Sequence, residues 1–429
     1  MAEIIVRIGL NLQRGQRLLV TDPYELQGVA RGAATLVAAV ESAATAAGAR
    51  SIEVIWGDGG RLRQMVANKD WRGLVALLGR HAALMHDHVQ SHDALLFLQS
   101  SQPALLAGVP PASAGELRRL AWERFGPVAQ ALTGGATNWT VAPAPTPDWA
   151  GAVYPELPVG SRLQALWEDV LAAMRVSGWS AASGRAPAHP SGLSAIASAT
   201  AEDRVPPEAD PLHAWVTRLS ALSHRCDELN ARQIRTVRFE GDGTDLTVKL
   251  AADHVWRTAR LVTKSGLRFV ANLPTEEIFT APDKHSASGT IRVSRPVSHA
   301  GTVIEGTKLT FKRGRITEAS AASGAGALEQ LLATDDGACH LGEVALVPAV
   351  AGLAEAGPDD VLNPPGSPTP PPTVPARHFF HPLLDENAAN HVALGDAYAF
   401  TARRPDASWL NRSLIHLDLP LDARPAFSN

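Results

Sequence analysis

The sequence predicts an α/β protein: an N-terminal α/β domain with a mainly parallel sheet, followed by a mixed α+β domain with antiparallel strands. Three observations carry this. Short apolar runs alternate with helix-period segments through the first half, tight polar turns join period-2 segments in the second, and a Ser/Ala/Gly/Pro-rich stretch lies between them.

The first strand is RLLVTD at 17–22, and the Ala-rich stretch at 28–49 has apolar positions at helical spacing. SIEVIWGD at 51–58 and DALLFLQS at 93–100 are the next strands, with a helical stretch between them. Ser-Ala-Gly-Glu at 113–116 opens another helix, and LQALWEDVLAAMRV at 163–176 is amphipathic. The segment 177–210 has no periodic apolar face and reads as a flexible insertion. A helix over 211–232 leads into TVRFEGDGTDLTVKLAADHVW, where GDG and GTD turns suggest antiparallel strands. The domain boundary is therefore expected near 232, giving domains 1–232 and 233–429. LRFVANL, GTIRVSRP and TKLTFKRGRITEAS continue the β pattern, LEQLLAT is helical, and the Pro-rich stretch at 356–378 reads as a surface loop.

A chain of 429 residues, 45% of them hydrophobic, can bury a large core. Its 39 Lys and Arg nearly balance 43 Asp and Glu, so there is no basic footprint for nucleic acid. Two cysteines cannot build a disulfide framework, which makes a reducing, cytoplasmic setting the expectation. No apolar run reaches signal-peptide or membrane-span length, so no membrane partner is expected. No GxGxxG, Walker loop or GxSxG elbow is present, which leaves nucleotide-binding and serine-hydrolase readings without support.

The chemistry must come from polar clusters in the second half. In NRSLIHLDLP, His416 and Asp418 lie two apart, so in a strand they share one face while Ile415, Leu417 and Leu419 take the other. The pair could serve one ion, or simply decorate a surface strand. Glu343 enters the apolar run VALV, where a carboxylate is costly unless paired, hydrogen-bonded or metal-bound; the bland alternative is a strand mouth open to solvent. Glu276 and Glu277 are adjacent, so at most one points at a given site, and a solvated acidic loop would also explain them. His391 and Tyr398, seven apart, meet either two turns along a helix or across a turn. A core histidine and an ordinary packing tyrosine are the competing explanations.

Taken in chain order, NLPTEEIFTAPD, SHAGTVIEG, LGEVALVP, LLDENAANHVALGDAY and NRSLIHLD resemble signature blocks of the aminopeptidase T and PepS family of metallo-aminopeptidases. The likeness extends upstream through GQRLLV, AGARSIEVIWGD and GDGTDLTVKL. It implies an enzyme that releases N-terminal residues from peptides through a water activated by two divalent metal ions, Zn, Co or Mn. The implied ligands are Glu277, Glu343, His391, His416 and Asp418, and the implied catalytic tyrosine is Tyr398. Glu276 is the alternative ligand and, if unligated, a candidate proton shuttle to the leaving amine. The resemblance also implies a homodimer. The two low-complexity stretches depart from the family pattern, and so do the few residues after Asp418, where the family continues through a closing β element. Two other readings compete: a mononuclear iron ring-cleaving dioxygenase of related fold, and a non-catalytic peptide-binding relative.

Overall fold

The computed structural model describes residues 1–23, 28–176, 210–299, 302–347 and 377–428. Its first sheet is parallel throughout, in the order β2-β1-β3-β4: β1 (Arg17–Thr21), β2 (Ser51–Val54), β3 (Ala94–Gln99) and β4 (Trp139–Pro143). The first three match the sequence expectation. β4 does not appear in it, because NWTVAPAP offers too short an apolar run between turn-forming residues to stand out locally.

The helices in this half are α1 (Ala2–Ile4), α2 (Ala34–Ala46), α3 (Gly59–Ala67), α4 (Trp71–Gln90), α5 (Pro111–Thr133), α6 (Pro147–Val153) and α7 (Val159–Ala173). Both sheet faces are covered, as a parallel sheet requires. Leu18, Val20, Leu96 and Leu98 pack with Val37 of α2 and Leu166 of α7, while Leu19, Leu95 and Phe97 pack with Leu74 of α4 and Leu117 of α5. Side chains of Asp58 and Asp70 cap α3 and α4 by accepting from Arg61 N and Gly73 N, each at 2.9 Å.

α8 (Pro211–Arg232) forms where the sequence places it. It buries Trp215 and Leu219 in the first core, and Leu222, Cys226 and Leu229 in a second core around the antiparallel strands. Those strands are β5 (Thr236–Gly241), β6 (Thr244–Lys249), β7 (Arg260–Val262), β8 (Arg268–Val270), β9 (Ile278–Thr280), β10 (Ser288–Arg292), β11 (Val297–His299), β12 (Thr302–Ile304), β13 (Lys308–Lys312), β14 (Arg315–Ser320), β15 (Leu341–Leu346), β16 (His391–Gly395), β17 (His416–Pro420) and β18 (Ala423–Ser428). They make a six-stranded sheet in the order β14-β13-β10-β6-β5-β18, a four-stranded sheet β17-β16-β15-β9, and the hairpins β7-β8 and β11-β12. Two short α-helices lie among these strands, α9 (Ala325–Leu332) between β14 and β15 and α10 (Pro382–Glu386) just before β16.

Several expectations change. The β5–β6 turn is Asp242-Gly243 alone, since Thr244 and Asp245 already belong to β6. His391 opens a strand, not a helix, so Tyr398 lies beyond the end of β16. The closing β element is present: β18 pairs antiparallel with β5 over its whole length. The two low-complexity stretches fall largely outside the described residues.

Candidate metal centre

The small sheet β17-β16-β15-β9 carries the polar clusters, each strand antiparallel to the next. Alternation sorts its side chains into two faces. Val344, Leu346, Val392, Leu394, Leu417 and Leu419 enter the second core. Glu343, His391, His416 and Asp418 project from the other face, where Ala393 stands between Glu343 and Asp418 and Gly395 stands opposite His416. These two small residues leave room above the sheet for the long side chains around them.

Glu343 is aimed by a β-bulge. The register with β16 slips between Leu341 and Glu343, leaving Gly342 as the extra residue. A Cβ there would lie 2.3 Å from Gly395 O and 2.6 Å from Asp396 O, so only glycine permits the approach. Gly395 has φ +97°, and a Cβ on it would meet Ile415 O at 2.1 Å.

Glu277 arrives from a loop tied to the parallel sheet. Val141 N donates to Ala271 O at 2.7 Å and Leu273 N donates to Val141 O at 3.0 Å, so the segment leading to Glu277 lies along the edge of β4. The adjacent glutamates then diverge, as an extended chain requires. Glu277 Oε2 lies 3.2 Å from His391 Nε2, whereas the Glu276 carboxylate sits between Arg175 Nη2 at 2.6 Å and Arg218 Nη2 at 2.5 Å.

The remaining distances define two overlapping groups. His391 Nε2 lies 3.5 Å from Glu343 Oε1 and 4.0 Å from Asp418 Oδ1. His416 Nε2 lies 3.9 Å from Glu343 Oε2 and 3.3 Å from Asp418 Oδ1. Glu277, Glu343 and His391 have ligand atoms within 4.8 Å of one another, and so do Glu343, His416 and Asp418, with Glu343 common to both.

The two imidazoles are oriented in the same way. Ala389 O accepts from His391 Nδ1 at 3.2 Å and Asp396 O accepts from His416 Nδ1 at 2.8 Å, which leaves each Nε2 lone pair facing the carboxylates. With His391 neutral, its Nε2 and Glu277 Oε2 are buried polar atoms with no hydrogen bond. That is costly in a dry site and is relieved by a cation between them, so the donor set fits a metal.

The charges of the cluster shift its members against one another. Burial pulls His416 down, but the charge and hydrogen bond of Asp418 and the charge of Glu343 outweigh it and raise its pKa to about 10. His391 is likewise opposed by burial and carried well above its usual range by Glu277 and Glu343. Burial raises Asp418, yet His416 and His391 win and bring it to about 2.

Glu386, which the sequence reading passed over, closes the group. It ends α10, which packs against β17 and β4, and burial together with the charges of Glu277 and Asp418 pushes its pKa well up. Its carboxyl hydrogen-bonds the Asp418 side chain, and its Oε1 accepts from Asn387 Nδ2 at 3.3 Å. The only sequence signal was an acid five positions before His391 in the block LLDENAANH. Tyr398 packs its ring on His416, with centroids 5.0 Å apart, and stacks on Phe400 at 5.3 Å.

Comparison with known proteins gives this geometry a family. A model described as Thermophilic metalloprotease (M29) matches residues 1–183, 193–357 and 373–425. Aminopeptidase T of Thermus thermophilus is 34% identical over 424 residues, covering 97% of this chain and 90% of that one. Aminopeptidase AmpS of Bacillus subtilis is 28% identical over 431 residues, covering 99% and 92%. A solved structure, wild-type AmpT from Thermus thermophilus, superposes with a TM-score of 0.76 at 31% identity, covering 100% of this chain and 96% of that one. With the family match spanning nearly the whole sequence, this chain belongs to the M29 family of thermophilic metalloproteases.

Proposed function

We propose that this chain is an aminopeptidase that releases N-terminal residues from peptides at a two-metal centre. Glu277 and His391 would hold one ion and His416 and Asp418 the other, with Glu343 within reach of both groups. The observation that carries the reading is the Glu343 carboxylate, whose Oε1 faces His391 and whose Oε2 faces His416. The aminopeptidase names of the relatives support the reaction, and the protease family favours it over ring cleavage by a single iron. Three carboxylates and two imidazoles suit Zn, Co or Mn. Bound there, two divalent ions would supply an activated water and polarise the scissile carbonyl.

The surrounding residues have distinct tasks. The backbone carbonyls of Ala389 and Asp396 fix the tautomer and direction of the two imidazoles. Glu386, retaining its proton beside Asp418, is suited to pass a proton to the leaving amine. Glu276 loses that role in this reading because both its oxygens are taken by arginines. Tyr398, stacked on a ligand ring, offers its phenol to the developing oxyanion. A homodimer and a cytoplasmic setting belong to the same reading, the latter supported by two free cysteines.

Metal-depleted protein would be reconstituted with Co, Zn or Mn and assayed on amino-acid p-nitroanilides with free and blocked N-termini. Activity restored by metal on the free substrates alone is expected. Equal cleavage of blocked substrates, or no restoration, would sink the reading. Because the surrounding carboxylates raise the pKa of His391 and His416, metal uptake competes with protons and should strengthen as pH rises from 6 to 8.

A further inference from the structure

We propose that Arg175 and Arg218 are positioning residues for the metal centre, acting through Glu276 to fix where Glu277 presents its carboxylate. The inference rests on the two-metal reading above. Each oxygen of Glu276 has its own guanidinium, Arg175 at 2.6 Å from Oε1 and Arg218 at 2.5 Å from Oε2, and the three side chains are only 8%, 0% and 0% exposed. Charges this deep are held rigidly, because parting them would leave an ion without compensation in a low-dielectric interior.

The arginines come from different places. Arg218 lies within α8, while Arg175 follows the end of α7 with φ +57°, a left-handed conformation that a residue with a Cβ adopts only at a cost. Its guanidinium lies 5.4 Å from the Trp215 ring centre, and Trp215 Nε1 donates to Met174 O at 2.8 Å, which staples α7 to α8. Backbone strain, a ring contact and two helices thus converge on one carboxylate, and its neighbour in sequence is Glu277.

The covalent link makes this a lever. Consecutive Cα atoms are about 3.8 Å apart and successive side chains of an extended segment point oppositely. Glu276 N also donates to Asn387 Oδ1 at 2.6 Å, so both its side chain and its amide are fixed. With residue 276 locked on the arginine side, Glu277 has one direction left, toward His391.

The test is a stepwise cobalt titration of the metal-free full-length protein, read by absorption and chelator competition. Arg175→Met is expected to weaken the ion held by Glu277 about 10–100-fold, with a smaller loss for the ion held by His416 and Asp418. Arg175→Lys keeps the charge but not the planar fork and should recover part of the loss. Unchanged affinities in folded Arg175→Met would overturn the proposal, as would equal weakening of both steps in parallel with a lower Tm, which is what a merely structural role predicts. Should Arg175→Met fail to fold, Arg175→Lys decides: a several-fold weakening of the Glu277 ion supports the proposal and native affinity overturns it. Native protein that takes up no cobalt would remove the two-metal reading and this inference together.

Discussion

Strands β3 and β15 are both six residues long and buried at every position, yet they do opposite things. β3 reads ALLFLQ and puts Leu or Phe into apolar layers on both faces of the parallel sheet. β15 reads LGEVAL, gives Val344 and Leu346 to a core, and holds Glu343 in the dry space on its other side. Burial alone therefore says nothing about role. A strand whose burial is apolar on both faces supplies stability, whereas one that buries a carboxylate holds it against its own desolvation and needs a compensating charge.

Glu343→Gln should have the largest effect. It keeps the shape of the side chain and removes the charge common to the two side-chain groups, so, on the proposed two-metal reading, kcat/KM should fall by about 10³-fold or more, several kcal/mol of transition-state stabilisation. Stability should move the other way in metal-free protein. Burial raises the Glu343 pKa, so the folded state binds its proton more tightly than the unfolded one, and native stability is lost as pH rises through and above the usual carboxylate range. The variant lacks that loss. Thermal unfolding of both metal-free proteins at pH 7 should show the variant at least as stable; a clearly lower Tm would mean that Glu343 stabilises the empty fold.

Leu96→Ala makes the reciprocal change on β3. The side chain is fully buried, and deleting it should cost about 2–5 kcal/mol in denaturant unfolding. Metal content and kcat per folded molecule should stay native. A loss of metal at full occupancy of the fold would show that the two sheets are not separable in this way.

Gly342→Ala tests the device that aims the buried carboxylate of this strand. The added Cβ overlaps two carbonyl oxygens across the bulge, for about 1–3 kcal/mol of strain. The strand can relieve it only by moving away from Gly395, which carries Glu343 with it. Weaker metal binding should therefore accompany the lower Tm. A native metal content at reduced stability would show that the bulge does not aim Glu343.

The same contrast explains what could be read from the sequence. Period 2 in SLIHLDLP correctly put Leu417 and Leu419 on one face and His416 and Asp418 on the other, and adjacency alone required Glu276 and Glu277 to diverge. These are local properties of an extended chain. β4 was not legible, because the short run WTVAP becomes a strand only by pairing along its whole length with the distant β3. The partners of Glu276 were hidden too, since Arg218 lies on α8 and Arg175 just past the end of α7, two helices whose meeting depends on Trp215. Glu386 was hidden because its role depends on α10 packing against β17.

Phe400→Leu has the smallest expected effect. Phe400 lies nearly parallel to Tyr398 at 12°, and Phe279 meets both rings edge-on, so the phenol ring is held between the His416 imidazole and an aromatic pair. Such ring contacts are worth about 0.5–1.5 kcal/mol, or roughly two- to tenfold in an equilibrium. Leucine keeps the apolar contact and loses the stack. If stacking positions the phenol for the developing oxyanion, kcat should fall by about that factor while KM and metal content stay near native. Tyr398→Phe should cost about 10²–10³-fold by removing the donor itself, and adding Phe400→Leu to it should then cost nothing further in kcat. An additive double variant would mean that Phe400 acts on turnover by a route independent of the tyrosine hydroxyl.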